Sequence, residues 1–161
     1  PKNITFPQET GLTFAENAFI KAHHAFLLTG IPSLGDDSGL EVDCLKGRPG
    51  IFSSRFSQKG TDISNMNKLL KEMEGRVESK RSARFRCSLV FIKDNNEEPL
   101  IAEGLLEGTI SKEKRGNKGF GYDPIFIPKG LTLHMSELES KHKNAISHRA
   151  KAFKLLLKKL I

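Results

Sequence analysis

Ala83-Arg84-Phe85-Arg86-Cys87-Ser88-Leu89-Val90-Phe91 places an apolar residue at every odd position. A period of two is the mark of a strand with one face against a core. Asp94-Asn95-Asn96 supplies turn residues, and the chain returns over residues 100–110 as a second strand, so the stretch reads as a hairpin. Upstream, a helix is predicted to start at Thr61 or Asp62, turn Ile63, Met66, Leu69, Leu70 and Met73 inward, and end at Gly75. Residues 46–60 are loop-like, broken by Gly47, Pro49, Gly50, Ser53, Ser54 and Gly60.

Before that loop, Ser33-Leu34 is a short extended piece feeding Gly35-Asp36-Asp37-Ser38-Gly39, after which Leu40 and Val42 alternate with Glu41 and Asp43. This reading places the two aspartates where a strand meets a turn. Further upstream, Thr13-Phe14-Ala15-Glu16 has the form of a capping box, and Ala15, Ala18, Phe19, Ala22 and Phe26 recur at helical spacing until Gly30. Downstream of the hairpin, a Gly-rich basic loop over residues 112–121 leads to the apolar strand Pro124-Ile125-Phe126-Ile127. The C-terminal region is helical, with Ser147 as N-cap and Ala150, Phe153, Leu156, Leu157 and Leu160 as its apolar stripe. Helix, strand, helix, hairpin, strand, helix is an α/β pattern with a mixed sheet and helices packed on it.

The 161 residues suffice for one domain, and the 37% hydrophobic and 28% charged composition is that of a globular chain. Two cysteines, Cys44 and Cys87, are too few for a disulfide framework or a zinc site and read as small buried hydrophobes. No run approaches the roughly 18 apolar residues that span a bilayer, and no signal segment opens the chain, so a cytoplasmic location without membrane attachment is expected. The net charge of +7 favours anionic partners without choosing among them. The sequence opens on Pro1-Lys2-Asn3 without an initiator Met and is expected to lack its own beginning.

Four groups of residues could carry chemistry. Asp36 and Asp37 offer the carboxylate oxygens that Mg²⁺ demands, although Asp and Gly are also ordinary turn residues. Phe120-Gly121-Tyr122-Asp123 sets two rings and an acid beside a glycine, which suits stacking a base and reading its edge, or equally a turn whose aromatics plug the core. Ser147-His148-Arg149 stands at a helix N-terminus, where backbone N–H groups favour anions. Lys143, four residues earlier, is one lysine among many. The lysines interleaved along the C-terminal helix fit a solvated outer face better than a membrane surface. No P-loop, dinucleotide fingerprint or His-Glu-x-x-His occurs.

Read together and in order, five segments are far more specific than any one. They are Glu9-Thr10-Gly11-Leu12-Thr13-Phe14-Ala15-Glu16-Asn17-Ala18, Asp36-Asp37-Ser38-Gly39-Leu40, Arg48-Pro49-Gly50-Ile51-Phe52-Ser53-Ser54-Arg55, Phe120-Gly121-Tyr122-Asp123-Pro124-Ile125-Phe126 and Ala145-Ile146-Ser147-His148-Arg149-Ala150. Across essentially the whole chain they resemble the inosine/xanthosine triphosphate pyrophosphatase (Ham1-like) family.

The resemblance implies a long mixed sheet forming two lobes around a nucleotide cleft, a single domain over residues 1–161, and a homodimer. It implies Mg²⁺-dependent hydrolysis of ITP, dITP and XTP to a monophosphate and pyrophosphate, removing deaminated purines from the nucleotide pool. By position, Asp37 resembles the general base and a metal ligand, and Ser38 a substrate contact. Phe120, Gly121, Tyr122 and Asp123 resemble the base-binding segment, completed by Lys143, His148 and Arg149. Hypoxanthine and xanthine carry an oxygen at position 6 where adenine carries an amino group, so donors such as Arg149 or His148 favour the former.

The family's metal-binding glutamate aligns with Gln8, leaving Glu9 as the nearer acid. The Ser/Thr-x-Asn-x-x-Lys loop and first strand of the family have no counterpart before Glu9, so this piece alone is expected to be weak or inactive. Two other readings compete. One is a related pyrophosphatase for other nucleotides; the other is a basic nucleic-acid-binding module built on Arg81, Arg84 and Arg86, although no stable nucleic-acid partner is expected.

Overall fold

The computed structural model describes residues 7–94 and 96–161. The opening residues 1–6 and Asn95 of the hairpin turn lie outside the described residues. Four strands form one sheet in the order β1 (Ser33–Val42), β2 (Ser82–Ile92), β3 (Leu100–Ile110) and β4 (Phe126–Pro128). The predicted hairpin is β2 and β3, which pair from Ser82↔Thr109 to Phe91↔Leu100. All three pairings are antiparallel, where the sequence reading expects a mixed sheet. Each described strand returns beside its predecessor, so no parallel crossover is required.

The aspartates do not sit at a turn. β1 runs unbroken through Gly35-Asp36-Asp37-Ser38-Gly39, with Asp36 opposite Leu89 and Asp37 opposite Ser88. Glycine serves here for close approach: a Cβ on Gly35 would stand 1.9 Å from the Ala18 carbonyl oxygen of the overlying helix. Likewise, the predicted strand at residues 124–127 begins later, because Asp123–Ile125 winds as a 3-10 turn that Pro124 can enter without a missing hydrogen bond.

The helices follow their caps. α1 (Phe14–Thr29) starts at Thr13, whose Oγ1 accepts the Glu16 N–H at 3.1 Å, and closes where Gly30 N–H donates to the Phe26 carbonyl. The Glu16 carboxylate reaches back past the cap to the Leu12 N–H at 2.6 Å. α2 (Asp62–Glu72) opens on a Thr61/Ser64 capping box. α3 (Ser140–Ile146) is an additional short helix, and α4 (His148–Leu160) is capped by Ser147, whose Oγ accepts the Ala150 N–H at 3.1 Å.

The long sheet carries different cover at its two ends. At one end α1 lies on one face through Ala18, Ala22 and Phe26 against Val90 and Ile92, and α4 lies on the other through Ala152 and Leu156 against Cys87, Leu89 and Ala102. At the other end the α4 face continues into the main core, where Met66 and Leu69 of α2 and Met73 at its C-cap meet Leu40, Val42, Phe85, Leu106 and Ile110. Several residues expected inside are turned out, among them Ile63, Phe153, Leu157 and Leu160. The α4 contact is narrow because it rests on Ala152 over a glycine: a Cβ at Gly104 would lie 2.0 Å from the His148 carbonyl oxygen. Cys44 and Cys87 are free, and burial pushes the Cys87 thiol up to about 12. Among the described residues no helix is long and apolar enough to cross a membrane.

Candidate active site

Residues alternate sides along a strand, so β1 divides its polar side chains between two faces. Asp37 points toward α1 and is buried. Lys21 Nζ donates to Asp37 Oδ1 at 2.7 Å and to the Asp36 carbonyl at 3.0 Å, and Asn17 Nδ2 donates to Asp37 Oδ2 at 3.4 Å. The same ammonium lies 2.8 Å from Glu9 Oε1, while Arg55 Nη1 donates to Glu9 Oε2 at 2.9 Å. Gln8 is exposed, so Glu9 is the acid that faces Asp37. Burial holds the Asp37 carboxyl above its ordinary range, against the opposing pull of Lys21. Glu9 is held low by Lys21 and Arg55, despite some burial. Burial alone would lower the Lys21 ammonium, but hydrogen bonds and charge from Asp37 and Glu9 outweigh it and raise it.

On the opposite face, a cleft of about 580 Å³ runs between α4, the 3-10 turn at Gly50–Arg55 and the loop before β4. Ser38, Phe120, Gly121, Tyr122, Asp123, Lys143, His148 and Arg149 all line it. Arg149 Nε donates to Asp36 Oδ2 at 2.6 Å, and its Nη2 to Asp36 Oδ1 at 3.2 Å and to Ser38 Oγ at 3.0 Å. Lys143 pairs with the buried Asp123 and stands 4.8 Å from the centroid of the exposed Phe120 ring. Asp123 also accepts the Phe120 N–H at 2.9 Å, while Asp62 accepts the Gly121 N–H at 2.7 Å, so acids at both ends pin this loop. His148 stacks on Phe85 with centroids 5.0 Å apart; burial pushes it down to about 4, which leaves the ring neutral at pH 7.

The two aromatics of the loop part company. Phe120 presents its ring to the cleft, but Tyr122 is buried and its hydroxyl donates to the Ser53 carbonyl at 2.9 Å. Tyr122 is therefore an anchor between loop and 3-10 turn, the alternative that its sequence context left open. Asn65, also buried, donates to the Ser53 and Ser54 carbonyls from below.

Eight of the sequence-predicted residues thus surround one cleft, and Asp37 with Glu9 lies across β1 from them. Sequence reasoning did not single out Lys21, Asn17, Arg55, Asp36 in its role toward Arg149, or Asp62. A signal existed for two of these: Asn17 and Lys21 fall four apart on a helix whose neighbouring positions Phe14, Ala18 and Ala22 are buried. The arginines of the nucleic-acid reading are committed elsewhere. Arg81 is buried and donates to the carbonyls of Ile110, Met73 and Ser111, while Arg84 and Arg86 are bridged to Glu41, Asp43, Glu103 and Glu107 on the open sheet face.

An antiparallel sheet with helices on both faces, a cleft of about 580 Å³ lined by β1 and β2, and a carboxylate pair across β1 from it define an α/β protein with a polar binding cleft beside an acidic site. Residues 2–159 match the Ham1 family, and the chain belongs to it. It is 49% identical over 160 residues to the dITP/XTP pyrophosphatase of Vibrio parahaemolyticus, covering 98% of this chain and 80% of that one. A HAM1 protein from Coxiella burnetii superposes with a TM-score of 0.91 at 45% identity, covering 97% of this chain and 80% of that one. The Ham1 protein of Staphylococcus aureus gives 0.89 at 38% identity, with 95% and 79% covered.

Proposed function

We propose that the protein carrying this chain hydrolyses non-standard purine nucleoside triphosphates, ITP, dITP and XTP, to the monophosphate and pyrophosphate. The observation that carries the reading is the cleft itself. One exposed ring, Phe120, stands beside Lys143 in the cleft that Arg149 also lines, where a purine can stack and be read, and β1 links that cleft directly to the Asp37 carboxylate. Near 50% identity to a dITP/XTP pyrophosphatase over nearly the full chain supports the same substrate class.

In this reading Asp37 acts as general base. Its burial raises its basicity toward the range in which a carboxylate can take a proton from water. The water oxygen attacks the α-phosphorus, the α–β anhydride breaks, pyrophosphate departs and the water proton passes to Asp37. Lys21 and Arg55 stabilise the negative charge gathered around Glu9 and Asp37, and Arg149 and Lys143 hold the substrate by charge-assisted hydrogen bonds.

Mg²⁺ suits this donor set. Among the described residues no cluster of three or more His, Cys, Asp or Glu side chains occurs, and Mg²⁺ characteristically takes only one or two carboxylates and completes its shell with water and phosphate. Glu9 and Asp37 already converge on a single cation, the Lys21 ammonium, and would hold the ion. When bound, Mg²⁺ supplies neutralisation of phosphate charge. A homodimer in the cytoplasm is part of the same proposal.

Pyrophosphate release by the protein carrying this chain from ITP, XTP, GTP, ATP and dUTP, with and without Mg²⁺, tests the reading. Release from ITP and XTP well above the other three, and only with the metal, is expected. Equal rates on all five would refute base selection, and metal-free release would refute the Mg²⁺ requirement.

A further inference from the structure

Arg149 is the one cleft cation whose guanidinium is gripped on three of its five N–H groups. Nε and one Nη2 hydrogen meet the two oxygens of Asp36, and the second Nη2 hydrogen meets Ser38 Oγ. A guanidinium is planar, so fixing Nε and Nη2 also fixes the direction of the two remaining Nη1 hydrogens. Nη1 has no protein partner among the described residues, and Arg149 lines the cleft. Side-on, two-point pairing with a carboxylate is the geometry that converts a flexible arginine into a directed donor.

We infer that Asp36 is a positioning residue for substrate selection: it clamps the Arg149 guanidinium so that Nη1 alone is presented to an acceptor oxygen of the bound purine nucleotide. This rests on the proposed function and goes beyond it by naming the residue that aims the reading group and the nitrogen that reads. The placement of Asp36 explains why two acids are needed in succession. On a strand, consecutive side chains take opposite faces, so Asp37 can serve the α1 side only if a second acid serves the cleft. Asp36 is adjacent to the acid chemistry but separated from it by the sheet.

A directed donor sharpens discrimination because an amino group placed opposite it leaves the donor unpaired and desolvated. With Asp36→Asn the charge and one of the two acceptor oxygens are lost while the shape is kept. KM for ITP is expected to rise about tenfold with kcat changed less than about threefold, and the ITP-to-ATP ratio of kcat/KM to fall to that of Arg149→Met. Combining the two substitutions should lower the ratio no further, since both remove the same aimed contact. Asp36→Glu, which restores the charge on a longer arm, should recover part of the ratio. A substrate-free readout accompanies these: the Arg149 Nε–H resonance, assigned by its loss in Arg149→Met, should be sharp in the parent chain at pH 7 and broadened by exchange in Asp36→Asn.

Unchanged KM and ratio in Asp36→Asn, a loss confined to kcat, or full additivity in the double variant would each overturn the inference. So would an Nε–H resonance indifferent to Asp36. Should Asp36→Asn fail to fold, the Asp36→Glu ratio and resonance decide, with parent-like values of both overturning it. If the protein carrying this chain released no pyrophosphate from any purine triphosphate, the proposed function would fall, whereas the resonance would still report on the clamp.

Discussion

Asp36 and Asp37 are neighbours in sequence and turn to opposite faces of β1, the first taking the Arg149 guanidinium at 2.6 Å and the second the Lys21 ammonium at 2.7 Å. In the proposed function one strand therefore carries two half-sites, a reading face toward α4 and a reacting face toward α1. Ser38 continues the first and the Asp36 carbonyl touches the second through Lys21, so three consecutive residues of β1 serve both faces.

Asp37→Asn tests the division of labour. The amide preserves shape and can still accept from Lys21, but it cannot take a proton from water. Turnover is expected to fall by about 10²–10⁴-fold. Thermal unfolding should show an unchanged or slightly raised Tm, because burial disfavours the charged carboxylate. Activity within a few-fold of the parent would remove Asp37 from the role of base.

Lys21→Met should act on stability in a metal-dependent way. Without the ammonium, Glu9 and Asp37 face each other as like charges in a half-buried site, and a loss of about 1–3 kcal/mol is expected in chelator. Added Mg²⁺ should restore more stability to this variant than to the parent, since a cation replaces a cation. Equal Mg²⁺ stabilisation of both proteins, read from urea midpoints, would argue against a shared cation position.

Much of this arrangement is legible in the sequence, and the failures have physical causes. The β2–β3 hairpin shows itself because a period of two is written in side chains whose one face is buried. The Thr13, Thr61 and Ser147 caps show themselves because orphan N–H groups select a few residue types. β1 does not, because Gly35 and Gly39 look identical whether they permit a turn or let Ala18 and the Gly50–Arg55 turn approach. Lys21 and Arg55 are hidden for another reason. Their partner Glu9 lies 12 and 46 residues away, a pairing that only the folded chain brings about.

Phe120→Ala and Tyr122→Phe separate contact from anchorage. Phe120 is 64% exposed, so its loss should leave Tm nearly unchanged while raising KM for ITP by about tenfold, as expected for removal of a stacking ring. Tyr122→Phe deletes the hydrogen bond to the Ser53 carbonyl and should cost about 1 kcal/mol of stability with little change in KM. If the KM effect were larger for Tyr122→Phe than for Phe120→Ala, the assignment of the two rings would be reversed.

Gly104→Ala probes how α4 is seated. The added methyl would meet the His148 carbonyl at 2.0 Å and the Ala152 nitrogen at 2.5 Å, both backbone atoms that cannot swing aside. The helix must shift as a body, so destabilisation of about 3 kcal/mol is expected from denaturant unfolding. Because His148 and Arg149 open that helix, KM for ITP should rise as well. A variant with normal Tm and normal KM would show that α4 tolerates a shift without moving the cleft.

His148 gives the chain a defined acid sensitivity. Burial on Phe85 pushes its imidazole from 6.5 down to about 4. Between these values the unfolded chain binds a proton that the folded chain refuses, so stability rises with pH through the window and is lost as the pH falls. The stabilisation is fully present above 6.5 and exhausted near 4, with no corresponding change on the alkaline side. Allowing for partial exposure, the loss is about 2 kcal/mol, or a drop in Tm of roughly 4–8 °C. His148→Phe keeps a ring against Phe85 and removes the titration, so its Tm between pH 7 and pH 4 should decline less steeply than that of the parent. Parallel Tm profiles for the two proteins would place the acid sensitivity in another group.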